Sequence, residues 1–451
     1  MQISNRISIL VSEAIFVFTL FFSCSTKNEP VGVPDNSQTD KNNIITLGGS
    51  KNESAQAITK TLDGGYALLG YTQSSDGDIK NKNNESYDYW LLKFNATNTL
   101  QWQKTFGGSD DDRGSSLLQT NDGGYTVFGY SQSNDGDVTE NAGSKDFWIS
   151  KLDNSGTISW QKSYGFSGSD DGISIIQTND NGYLLTGVID VSASGGQGNS
   201  KANLAKRHAG GDYWIIKLNA LGDKQWSKYF GGTFTDTPYD AIQTNDNGYI
   251  IVGSSDSNDV DIKNNRGSYD FWVIKISEIG VLVWEKSFGG TEVDEARAIT
   301  KSNDGNYIII GDTRSRDLDV SENNGAADLW MIKISPAGNL IWEKTFGGTS
   351  FDSGRSISNT QDGGFVISGS SRSSDGDLTI NQGQNDAWVL KTNNQADLEW
   401  QKTIGGSNID FAFDVVELDN GTIIVVGETG SSNADISENK GFTDVLIFKT
   451  N

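Results

Sequence analysis

Cysteine is almost missing from this chain of 451 residues: Cys24 stands alone, so no intrachain disulfide can form. Histidine occurs once, at His208, which removes His-rich metal centres and most nucleophilic triads. Basic residues are in deficit, with 35 Lys and Arg against 59 Asp and Glu and a net charge of −24. That surface repels phosphate backbones and anionic lipid headgroups, which argues against nucleic acid as a partner. No apolar run reaches the ~20 residues of a membrane-spanning helix. Residues 14–22 are the nearest approach, and their length suits a signal h-region.

What the chain does have is glycine, 53 against 4 Pro, together with abundant Asn, Asp, Ser and Thr. This is the composition of short strands joined by tight turns. It also has a repeat. A Gly-Gly mark recurs at Gly48, Gly107, Gly165 (degenerate, Gly-Phe-Ser-Gly), Gly231, Gly289, Gly347 and Gly405, in steps of 59, 58, 66, 58, 58 and 58 residues. Units of this size cannot bury their own faces and must stack on their neighbours.

In the second unit the pattern predicts strands over residues 115–120, 125–130, 146–152 and 157–164, with turns at Asn121-Asp122-Gly123-Gly124 and Asp153-Asn154-Ser155-Gly156. Four strands per unit of about 58 residues is a propeller blade. The last copy stops after its third strand, and a lone fourth-strand equivalent, residues 44–47, precedes the first Gly-Gly. The N-terminal strand is therefore expected to complete the last blade and close a ring of seven, removing the open edges. The fold expected is all-β, a seven-bladed β-propeller over residues 42–451.

Asp-Gly-Gly-Tyr, Asp-x-Trp-x-x-Lys and Trp-Gln-Lys-x-x-Gly-Gly together resemble the β-propeller repeats of bacterial and archaeal surface proteins and lipoproteins. The resemblance implies architecture and address but no chemistry. The segment ending Phe21-Phe22-Ser23-Cys24 likewise resembles a lipoprotein signal. It implies a signal peptide over residues 1–23, a lipidated Cys24 and a flexible tether over residues 24–41, polar and broken by Pro30 and Pro34. The address implied is the cell envelope, as an outer-membrane lipoprotein, with palmitate-type acylation as its only hold on the membrane.

The twelve Trp fall at two fixed registers per unit and read as packing between blades. A regular Asp two residues before the third-strand Trp position, and a regular Lys three after it, read as scaffold. Candidate chemistry lies elsewhere. Glu53, Asp112, Asp170, Asp236, Asp294, Asp352 and Asp410 follow Gly-Gly and are expected to ring the mouth of the central channel. The long loops of the same face carry Asp76 and Asp78, Asp135 and Asp137, and Asp375 and Asp377, oxygen donors suited to calcium. The third unit breaks the symmetry: its long loop lacks the Asp pair and holds Lys201, Lys206, Arg207 and His208, a basic spot for a ligand. No residue is singled out as catalytic. The function expected is a monomeric, non-catalytic binding or scaffold module for an envelope protein or an extracellular glycan. The alternative is a carbohydrate-active enzyme using carboxylates at the channel mouth.

Overall fold

The protein is described by a computed structural model covering residues 41–197 and 210–450. Its 28 strands form seven four-stranded antiparallel sheets. In the first blade they are Glu53–Lys60, Tyr66–Thr72, Asp88–Phe94 and Leu100–Phe106, paired in chain order. The next five blades repeat this order. The seventh pairs Asp410–Glu417, Ile423–Thr429 and Asp444–Thr450 with the N-terminal strand Ile44–Leu47, Ile44 opposite Phe448 and Leu47 opposite Val445. The first strands of consecutive blades touch one another around the axis, and Glu53–Lys60 meets Asp410–Glu417 to close the ring.

Third and fourth strands fall within a residue of their expected limits; the first strand of blade two is longer, Asp112–Gln119 instead of 115–120. A bulge between Gly114 and Ser116 interrupts its alternation, so the paired residues before it do not read as strand in sequence. The same bulge recurs in every inner strand.

The core is not one mass but seven clusters, one at each blade junction. Between blades one and two, Leu69, Tyr89 and Leu91 pack against Val127, Trp148 and Leu152. The third-strand indoles Trp90, Trp148, Trp214, Trp272, Trp330 and Trp388 are fully buried, while the fourth-strand Trp residues cover the clusters from outside. Tyr89 donates across the junction to the Trp148 carbonyl at 3.1 Å, and Tyr213 to that of Trp272 at 3.0 Å. Each indole buries on the order of 200 Å², so junction packing dominates cohesion at about 25 cal/mol per Å².

The Lys ladder pins the short-turn face. Lys93, Lys151, Lys217, Lys275, Lys333 and Lys391, nearly buried, reach Asp63, Asp122, Asp180, Asp246, Asp304 and Asp362 in the turn between first and second strands at 2.6–3.0 Å. Those acids also accept from the turn, as when Asp122 takes the Thr120 hydroxyl and the Gly124 N–H. The repeated Asp-Gly-Gly and Trp-x-x-Lys motifs are thus two halves of one bridge.

Candidate functional site

The opposite face carries the long loops. In blade two, Asp112 at the head of the inner strand accepts the Gly108 N–H at 2.8 Å, the Ser133 hydroxyl at 2.8 Å and the Ser131 hydroxyl. From the loop after the second strand, Asp135 takes the Ser109 N–H at 2.7 Å and Asp137 the Gly107 N–H at 3.2 Å. Two loops thus clasp the Gly-Gly turn with carboxylates, satisfying amides that a tight turn leaves without partners. Glycine is required there: a Cβ on Gly347 would stand 2.8 Å from Asp328 Oδ1 and 2.9 Å from Asp352 Oδ2.

This geometry corrects the sequence expectation of an open acidic ring. Glu53, Asp112, Asp170, Asp236, Asp294, Asp352 and Asp410 do sit at the channel ends of the inner strands, but every one is 0% exposed. Backbone N–H and hydroxyl donors draw them inward, because an unpaired turn amide would cost more than the exposure lost. The loop pairs act likewise. Asp76 and Asp78 take the Ser50 and Gly48 N–H groups at 2.8 and 3.0 Å, and Asp375 and Asp377 those of Thr349 and Gly347 at 2.8 and 3.0 Å. Among the described residues no three His, Cys, Asp or Glu side chains converge as metal ligands. The oxygens read as calcium donors are turn caps.

Each clasp acid also lies beside the third-strand Asp of the preceding blade, the two flanking the first Gly: Asp88 with Asp112, Asp270 with Asp294, Asp386 with Asp410. Desolvation, with the like charge opposite adding to it, pushes Asp236, Asp270 and Asp386 up to about 7 and Asp170, Asp328 and Asp444 up to about 6. Burial alone, against two backbone donors, raises Asp146. In blade one Lys82, 3.4 Å from Asp88, offsets only part of the rise, and burial with the Asp112 charge still holds Asp88 at about 7.

Five clasps share the Asp pair, the seventh replaces its first member with Asn433, and the third blade's departs altogether. Phe166 stands in the second Gly position; its N–H still reaches Asp170 at 2.7 Å. No Asp pair follows. Asp190 caps a single helical turn, Val191–Ser194, and Ser167 bonds to Ala193 O at 2.9 Å. Over this gap opens a cavity of about 480 Å³, lined by Tyr164, Phe166, Trp214, Asn141, Glu140 and Lys224 among others. Trp214 packs 4.7 Å from Phe147 and 5.6 Å from Phe166, ring centre to ring centre. In blades one, two and five the buried indole donates to an acceptor thirteen residues on: Trp90 to Gln103, Trp148 to Gln161 and Trp330 to Glu343, at 2.9–3.0 Å, while Trp272 and Trp388 face Glu285 and Gln401 at that register without bonding them. Of the blades with this indole, blade three alone has no long acceptor at that place, which is Ser227, and Trp214 Nε1, like Trp272 and Trp388 Nε1, is without a partner among the described residues.

The basic candidates Lys201, Lys206, Arg207 and His208 lie outside the described residues, as do Cys24, the leader over 1–23 and the tether up to residue 40. Sequence reasoning singled out the third unit by its degenerate Gly-Phe-Ser-Gly and by its long loop, and placed the candidate ligand residues on that loop. The structure adds what that reading did not weigh, Phe166 as a cavity wall and Ser227 at a Gln or Glu register. Sequence reasoning also passed over the bulge position of the inner strands, where the seven blades carry seven residues with no consensus: Gln56, Ser115, Ile173, Tyr239, Arg297, Arg355 and Phe413.

No known protein-family profile matches the chain. A curated relative, the regulatory protein FlaEY of Caulobacter vibrioides, is 22% identical over 245 residues, which is 48% of this chain and 25% of that protein. The chain thus spans about a quarter of that relative. Among solved structures it is similar to a Dyadobacter fermentans protein of unknown function (10% identity, 90% of this chain and 98% of that one, TM-score 0.41). It is similar too to the Neurospora crassa Pan2 WD40 domain (10%, 92% and 98%, TM-score 0.46) and a Synechocystis apocarotenoid oxygenase (12%, 89% and 94%, TM-score 0.42). Likeness at this level carries no argument about activity.

Proposed function

We propose that the chain is a non-catalytic binding module of the bacterial cell envelope, held to the outer membrane through acylated Cys24. It captures a glycan or a protein on its long-loop face at the junction of the second and third blades. One observation carries this reading: the residue that replaces the second Gly of the third blade's clasp, Phe166, walls a cavity together with Tyr164 and the buried Trp214, at the blade whose Asp pair is replaced by a helical turn. A wall of Tyr164 and Phe166 over Trp214, edged by Asn141, Glu140 and Lys224, suits a sugar ring or a partner's side chain better than a metal. Burial of the seven clasp acids supports binding over the carbohydrate-active alternative, since a hydrolytic pair has to reach its substrate.

The test is a panel of envelope glycans and extracted envelope proteins presented to residues 42–451, with Phe166→Gly alongside. The reading expects a ligand retained by the parent and released by Phe166→Gly at unchanged melting temperature. Equal retention by both would move the site elsewhere; turnover of any glycan would restore the enzyme reading. The anchor is tested separately: Cys24→Ser should abolish labelled-palmitate incorporation and free the protein from the membrane fraction.

A further inference from the structure

The axial channel supports a second, independent site. Inner strands face the axis, and each is bulged at one half-buried residue. In the scaffold every blade repeats its neighbour; at this ring only the fifth and sixth do, both with arginine. The fifth and sixth blades place Arg297 and Arg355 there, with Tyr239 of the fourth beside them.

The two arginines differ in what neutralises them. Arg297 Nη2 bonds Glu295 Oε2 at 2.9 Å, its Nε lies 3.9 Å from Asp312 Oδ1, and its guanidinium stands 4.2 Å over the Tyr239 ring. Arg355 feels the charge of Arg297 and Asp312 but forms no ion pair or hydrogen bond among the described residues, and its Nε is buried without an acceptor. A guanidinium cannot shed its proton, so a desolvated one without an acceptor is costly unless an anion comes to it. At the long-loop end of the same strands two exposed arginines, Arg314 and Arg372, flank Phe351 at 5.7 and 5.9 Å. Four arginines therefore mark one sector of the channel of a protein whose net charge is −24.

We propose that this sector of the channel, between the fifth and sixth blades, is an oxyanion-binding site. Arg355 is the principal ligand through its fork of N–H donors, Arg297 supports it from the neighbouring strand, and Arg314 and Arg372 draw the anion in at the mouth. The ligand class is a small molecule or glycan unit bearing a carboxylate, phosphate or sulfate, which guanidinium binds in bidentate fashion. The surrounding acidic surface would exclude polyanions while this sector admits a single anionic group.

The experiment is calorimetric titration of residues 42–451 with D-glucuronate, inorganic phosphate and sodium sulfate in turn, at constant ionic strength, with melting curves alongside. Saturable binding of one equivalent is expected for at least one probe, and which probe binds separates an acidic sugar from a free inorganic anion. Arg355→Gln should weaken it by more than about tenfold. Because this substitution removes an unpaired buried charge, it should also leave the ligand-free melting temperature equal or higher, a result a purely structural arginine would not give. Arg372→Gln, on the exposed rim, should fold normally and slow association without abolishing binding. Phe166→Gly should bind the anion as the parent does, so loss of the blade-two/three site and loss of this one are told apart. No saturation with any probe, or equal binding by Arg355→Gln, would overturn the proposal.

Discussion

Raising the pH from 5 to 7 should destabilise this protein, the reverse of what a surface rich in paired carboxylates does. Burial holds Asp88, Asp236, Asp270 and Asp386 up at about 7, well above the ordinary carboxylate value near 4. Between those values the folded chain keeps protons that the unfolded chain has lost. Unfolding then releases protons, so the stability these groups contribute is complete below about pH 4 and gone above about pH 7. Each retained proton gives a slope of about 1.4 kcal/mol per pH unit. A domain of about 400 residues has an unfolding entropy of roughly 0.85 kcal/mol/K, so one proton corresponds to about 1.6 °C per pH unit and four to about 6 °C. Differential scanning calorimetry from pH 4 to 8 should therefore show a melting temperature falling by roughly 10 °C between pH 5 and 7. Asp270→Asn keeps an acceptor for the Arg266 N–H and places a permanent N–H opposite Asp294, so its slope should be shallower by one proton's share. Asp110→Asn, exposed, controls for overall charge and should not change it. A melting temperature flat or rising from pH 5 to 7, or an Asp270→Asn slope equal to the parent's, would refute the account of protons retained on the buried carboxyls.

On the acid side the short-turn bridges act in the opposite sense. Hydrogen bonds from Lys275 and Thr244 pull Asp246 to about 2, and those from Lys391 and Thr360 do the same for Asp362, so their stabilisation is lost as pH falls from 4 towards 2 and the stability maximum should lie near pH 4–5. Gly347→Ala forces a Cβ between Asp328 and Asp352 and should cost about 1–3 kcal/mol by urea denaturation, with the ring intact by circular dichroism. Deleting residues 1–47 removes the strand paired with Asp444–Thr450; it should cost about 2–4 kcal/mol and produce edge-paired dimers or aggregates by size exclusion. Calcium titration with a chelator arm should leave the melting temperature unmoved, because Asp76, Asp78, Asp135, Asp137, Asp375 and Asp377 already accept turn amides.

The ring was legible because the repeat fixes the number of blades, and Ile44–Leu47 lacks a partner unless it joins the last one. Strand periodicity found the outer strands and missed the inner starts, where the bulge at Gly114/Ser116 shifts the alternation. Side-chain direction was the larger omission. A recurrent acid after Gly-Gly shows that a carboxylate is needed but not whether it meets solvent or turn amides; Asp112 is settled only by the Gly108 N–H and the Ser131 and Ser133 hydroxyls around it. The third blade announced itself by its length, yet Trp214 lost its acceptor through a residue thirteen positions away, which matters only once strands three and four are side by side. Arg355 carried no motif at all: what marks it is that its register is free to vary.

The most direct test of the binding account is equilibrium binding of the parent and the Phe166→Gly, Tyr164→Ala pair of single variants to whichever envelope component the parent retains, with melting temperatures measured on the same samples. The account predicts at least about a tenfold loss of affinity in both variants with folding preserved. Undiminished binding by both would contradict it, and would mean that the cavity between the second and third blades is a relic of a drifted repeat.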